Sequence, residues 1–347
     1  MLNGYARRLL VAGAFVGALM TFPASGASAQ AVALQNGTTL LDQNKLPEAR
    51  AQLMPYAKSN PKDARGAFQV GRLLILEGES FLSQNKEKDA IGRYEEAADW
   101  IEKAIKLDGK NGTYHRWLGD SYGRQAQRST NKLKQAMLAK KVKNEYEESV
   151  RLDPKDLSAR ESLIEFYMQA PGFMGGGVDK AEAQAREIAK IDRLRGHYNL
   201  AKVYIRQKKM DLALGELKAA EKENPDSIGA GLRVGYLYVT EKKFDDAFAQ
   251  FDRLAQRYPS DPVVTFQIGR TAAISGQQLE RGEAALKSYL AGPAPKPDQP
   301  AFASAHFRLG NIYEKRGATS SARTSYTEAL RLNPQLKDAR TALEKLK

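Results

Sequence analysis

Near the end of the chain, apolar residues recur at the helical period and not at the alternating period of a strand. Leu309, Ile312 and Tyr313 form one stripe, with Arg308 and Lys315 outside it. Gly317 closes this pattern, where a left-handed residue ends a helix at little cost. A second amphipathic pattern follows, with Ala322, Tyr326, Ala329 and Leu330 on one face, and Pro334 stops it. The small residues Gly310, Ala322 and Ala329 let two antiparallel helices approach closely, and Tyr313 and Tyr326 fill the adjoining space. Neither helix buries its stripe alone, so the pair needs neighbours.

The same order returns upstream. Ala201, Tyr204, Ala213, Leu217, Ala220 and Pro225 reproduce it, and so do Gly235, Tyr238, Ala247, Phe251, Leu254 and Pro259. Units starting at 194, 228 and 262 are spaced by 34 residues. In spacing and residue type this unit resembles the tetratricopeptide repeat, with His306 standing where that family most often has tryptophan. The resemblance implies an all-α chain, a right-handed superhelical solenoid of helix-turn-helix repeats. Eight repeats are expected, at 30–63, 64–111, 112–156, 157–193, 194–227, 228–261, 262–302 and 303–336. A C-terminal capping helix, 337–347, turns Ala339, Leu343 and Leu346 inward. The second repeat carries extra residues around 76–90 that read as two lengthened helices with a polar turn between them. The third carries a basic insert, and the fourth has Ala170-Pro171-Gly172-Phe173-Met174-Gly175-Gly176-Gly177 between its helices.

Residues 1–29 have a different pattern. Arg7 and Arg8 precede an apolar run of 14 residues, Leu9 to Phe22, and Ala27-Ser28-Ala29 supplies small residues before Gln30. This is the layout of a cleavable signal peptide, and the run is short for a membrane span. The expected location is periplasmic or secreted. The chain has no cysteine, so neither disulfides nor thiolate metal sites contribute to its fold. Loss of the two leader arginines takes the formal net charge from +13 to +11. For an exported chain this charge points to an acidic protein or an anionic envelope surface and not to nucleic acid.

Little in the sequence points to catalysis. Gly175-Gly176-Gly177 lacks the lysine and hydroxyl residue of a phosphate loop and joins two helices instead of following a strand. His115, His197 and His306 each stand four residues before a small packing residue, so they share one structural slot on three different repeats. Neither a zinc-protease nor a serine-hydrolase motif occurs. No cofactor, metal or catalytic residue is expected, and the chain reads as a non-enzymatic scaffold. An enzyme subunit with an unrecognised site is the remaining alternative of that kind.

In the tetratricopeptide family the first helix of each repeat lines a concave groove. Carried over by position, this resemblance assigns Tyr198, Lys202, Arg206, Tyr236, Phe266, Arg270, Phe307 and Asn311 to a groove that alternates aromatic and basic side chains. Such a surface suits a protein segment with acidic and aromatic or apolar residues, in envelope assembly or secretion. Glu161 and Glu165, one turn apart, read as a solvated helix face. The lysine-plus-asparagine pairing of chaperone-tail clamps is missing, because the neighbour of Asn311 is Phe307. A second surface is the basic insert, 128–143, where Lys132, Lys134, Lys140, Lys141 and Lys143 occur without an intervening acid. Ala136, Met137, Leu138 and Val142 are expected to add apolar area there, for an adaptor on anionic lipid or polysaccharide.

Overall fold

The computed structural model describes residues 26–346. The leader expected over 1–29 lies outside them except for its last four residues, which open the first helix. The described residues form seventeen α-helices and no strand. They divide into two compact units, up to Lys110 and from Asn111 onward.

The first unit contains α1 (Gly26–Asp42), α2 (Leu46–Ser59), α3 (Ala64–Ser83) and α4 (Glu87–Leu107). The extra residues of the second repeat are absorbed by α3 and α4, which are 20 and 21 residues long around a polar turn. The second unit begins with α5 (Gly112–Arg128), α6 (Lys132–Leu152), α7 (Leu157–Gln169) and α8 (Val178–Ile191). It continues with α9 (Arg193–Arg206), α10 (Met210–Glu223), α11 (Ile228–Thr240) and α12 (Phe244–Arg257). The last helices are α13 (Pro262–Ser275), α14 (Leu279–Leu290), α15 (Phe302–Lys315), α16 (Thr319–Leu332) and α17 (Lys337–Lys345). Consecutive helices pair as antiparallel hairpins that stack on their neighbours within each unit, an all-α repeat solenoid.

Inside each hairpin a small residue of the first helix receives a large residue of the second. A methyl group built on Gly310 would stand 2.3 Å from the Tyr326 ring, and one on Gly235 would stand 2.4 Å from Phe251. Tyr326 and Phe251 are fully buried as a result. Capping sets the hairpin ends. Asp63, Asn111, Asp156, Asp192 and Asp261 each accept a backbone N–H bond at the start of a first helix. At the other end of the stack, Ala339 of α17 is fully buried, and Leu343 and Leu346 pack against Ala322, Tyr326 and Ala329.

Candidate functional site: a first-helix groove

The first helices α7, α9 and α11 share one open groove of about 670 Å³ in the second unit. Tyr198, Ile205, Tyr236 and Leu237 supply its apolar wall. Tyr198 is half-buried, with the Arg233 guanidinium 4.8 Å above its ring. Tyr236 is half-buried beside Phe251, and burial raises its hydroxyl above the usual tyrosine range.

Charge is unevenly distributed along this face. At the α7 end, acids and bases of adjacent first helices neutralise one another. Glu161 accepts from Arg195 at 3.0 Å and from Asn199 at 3.3 Å, and Glu165 pairs with Lys202. Glu161 and Glu165 are therefore partners of the next repeat and not merely a solvated face. Arg206 is exposed and donates to the Met168 carbonyl at 3.2 Å.

Beyond α9 the pairing stops. Among the described residues, no carboxylate comes within ion-pair distance of Arg233, Arg270 or Arg308, on α11, α13 and α15. Arg270 reaches only the Gln267 amide oxygen, at 3.4 Å. Arg308 donates to the Asn311 amide oxygen at 3.2 Å and lies 4.9 Å from the centre of the Phe307 ring. Asn311 in turn donates to the Tyr326 hydroxyl at 2.9 Å, so its amide is held from both sides. Burial pulls Arg270 and Arg308 below the usual arginine range. The charge of Arg270 adds to the effect at Arg308, which Asp338 partly offsets. A partly desolvated guanidinium without a carboxylate at ion-pair distance is an energetic cost to the fold.

Two of the rings expected in the groove are elsewhere. Phe266 and Phe307 are only 4% and 9% exposed, packed on Tyr289 at 5.4 Å and Tyr326 at 5.8 Å between ring centres. At these two positions the side chain tucks between the helices of its own hairpin, so the rings offer a partner little surface. Sequence position assigned them to the groove because it fixes a side chain's slot but not its depth. Arg195, Arg233, Arg308 and Ile205 were missed. One signal was legible: Arg195 and Glu161 are separated by one repeat length, 34 residues.

The basic insert is the N-terminal half of α6. Lys132, Lys134, Lys140 and Lys141 are exposed, and Lys143 is half-buried 3.9 Å from Glu147. Leu138 and Val142, expected to add outward apolar area, instead face inward at 7% and 5% exposure. They belong to the helix's packing stripe, which runs in four-residue steps from Leu138 through Val142 to the buried Tyr146. The apolar residues that do face out are Leu133 and Met137.

The glycine loop is occupied with its own backbone. Gly175, Gly176 and Gly177 donate to the carbonyls of Gly172, Pro171 and Tyr167. A methyl group on Gly176 would stand 1.8 Å from the Ala170 carbonyl oxygen, so the turn requires glycine there. His115 and His197 lie against Glu145 and Glu216 of their own second helices, with Nδ1 at 2.7 and 2.6 Å. His306 is half-buried, and burial pulls it below the usual histidine range.

Models of the tetratricopeptide repeat match residues 34–112, 198–262 and 303–336. The chain belongs to the tetratricopeptide-repeat family. Two solved structures show the same fold. Yeast Tom70 matches 92% of this chain and 81% of its own, at 11% identity and a TM-score of 0.54. A tetratricopeptide repeat protein from Parabacteroides merdae matches 80% of this chain and 99% of its own, at 15% identity and a TM-score of 0.50. By sequence, the chain is 29% identical over 132 residues to cellulose synthase operon protein C of Pseudomonas fluorescens. That match covers 37% of this chain and spans about a tenth of the relative's length. Tetratricopeptide arrays are in general protein-interaction scaffolds that bind protein or peptide partners.

Proposed function

We propose that this tetratricopeptide protein is an exported, non-enzymatic scaffold that holds an extended, acidic segment of a partner protein along its first-helix face. An apolar or aromatic residue of that segment lies against Tyr198, Ile205 and Tyr236. Its carboxylates lie toward Arg233, Arg270 and Arg308. The observation that carries the reading is the break in pairing. Acids answer the bases at the α7 end of the face, and none answers the three arginines beyond it. An acidic ligand would supply the missing counter-charges, and guanidinium–carboxylate pairs are directional enough to fix its register. Export rests on the leader pattern of residues 1–29, and the relative named for a cellulose synthase operon is compatible with an envelope process.

A panel of immobilised peptides, matched in length and varied in acidic and aromatic content, tests the proposal. Peptides combining an aromatic residue with two or more carboxylates should retain the protein, and their amidated or basic counterparts should not. Equal retention of neutral and acidic peptides would remove the charge argument.

A further inference from the structure

The three most exposed large apolar side chains among the described residues all belong to the second unit, two on α6 and one on the turn that packs against it. Leu133 and Met137 are 71% and 61% exposed, and Phe173 is 83% exposed. Leu133 and Met137 are one turn apart on α6, opposite the stripe that buries Leu138, Val142 and Tyr146. Phe173 stands on the short 3-10 turn Gly172–Met174, which packs against α6. That turn is built firmly. Its glycine N–H groups bond to Gly172, Pro171 and Tyr167, and Lys180 donates to the Gly175 carbonyl at 3.1 Å. Phe173 is thus held out on a fixed support.

Charge surrounds the two α6 residues. From Lys132 to Lys143, α6 contains five lysines and no acid. Lys140 shares the outward stripe with Leu133 and Met137, and Lys132 and Lys141 are exposed on either side of it. Exposed Leu and Met tips gain nothing from water, whereas the headgroup boundary of a bilayer accepts both apolar tips and lysine stems. No helix of the described residues is long and apolar enough to cross a membrane, so the contact would lie in the surface plane.

We propose that this face docks on an anionic bilayer surface. Leu133, Met137 and Phe173 enter the headgroup region, and Lys132 and Lys140 meet lipid phosphates. The inference is independent of the groove reading. The patch is on a second helix and its adjoining turn, and the groove is lined by first helices, so a docked protein keeps the groove open.

Co-sedimentation of the full chain with vesicles of phosphatidylglycerol and phosphatidylcholine, against pure phosphatidylcholine, tests it. The protein should sediment with the anionic vesicles, and added salt should weaken the binding as exposed charges are screened. Lys132→Glu with Lys140→Glu should lower partitioning at least about tenfold. Leu133→Ser with Met137→Ser should also lower it about tenfold, since each removes a buried apolar tip. Phe173→Ser is an independent variant on a different element. All of these side chains are exposed, so the melting temperature should hold and loss of fold is separable from loss of docking. Absence of sedimentation with anionic vesicles would overturn the proposal. So would binding that falls with the lysine variant but ignores the Leu133/Met137 and Phe173 variants, because that is charge attraction without entry of the apolar side chains into the headgroup region.

Discussion

Gly310 shows how much of this fold rests on single small residues. Its Cα faces the fully buried Tyr326, whose hydroxyl accepts from Asn311 at 2.9 Å and donates to Glu314 at 2.6 Å. Gly310→Ala places a methyl group 2.3 Å from that ring, which cannot withdraw without breaking both hydrogen bonds. The expected cost is about 1–3 kcal/mol. Because each repeat is stabilised by its neighbours, the loss should concentrate in α15, α16 and α17. Hydrogen exchange should show those amides losing protection before those of α11 and α12. Uniform loss through the second unit would argue for one cooperative core. The Gly310–Tyr326 relation was legible in the sequence, because a small residue and a large one recur at matching places in successive repeats. The depth of Phe266 and Phe307 was not. Whether a first-helix ring lies in the groove or beneath it depends on the side chains that face it from the second helix, here Tyr289 and Tyr326.

At the scale of the element, the hairpin turn repeats more faithfully than the residues that make it. Asn44, Asn85, Lys208, Lys242 and Gly317 all take positive φ, between 57° and 73°. In each case the next residue's N–H bonds back to the first helix, as Lys243 does to Tyr238 and Ala318 to Tyr313, both at 2.9 Å. Glycine adopts this conformation freely, and a residue with a Cβ carries a penalty on the order of 1–2 kcal/mol. Only the last of these five turns has glycine, so sequence alone marked one turn and left the others to the repeat period. Lys242 is exposed, and a side chain added at Gly317 would meet nothing within 4 Å. These two positions therefore isolate the backbone term. Lys242→Gly should stabilise the fold by up to about 1 kcal/mol, after the greater freedom of unfolded glycine is subtracted. Gly317→Lys should destabilise it by a similar amount. Thermal melts of the two variants moving in the same direction would contradict this account of the turn.

At the scale of the whole molecule, the net charge of +13 matters less than where its charges are answered. Arg50 with Glu77, Arg195 with Glu161, Arg253 with Glu221 and Arg257 with Asp226 are paired at 2.6–3.0 Å. Arg233, Arg270 and Arg308 stand apart from this pattern. The sequence showed that the first helices were basic, but it could not show which bases were answered, because the answering acids come from other helices. The most direct test of the scaffold reading measures binding and stability together on Arg270→Gln with Arg308→Gln, using an acidic peptide that the unaltered protein retains. Removing half-buried charges that lack a partner should leave the melting temperature unchanged or raise it. Affinity for the acidic peptide should fall at least about tenfold, roughly 1.4 kcal/mol, and its salt dependence should flatten. A lowered melt with unchanged affinity would mean that the two arginines hold the repeats together and that the partner binds elsewhere.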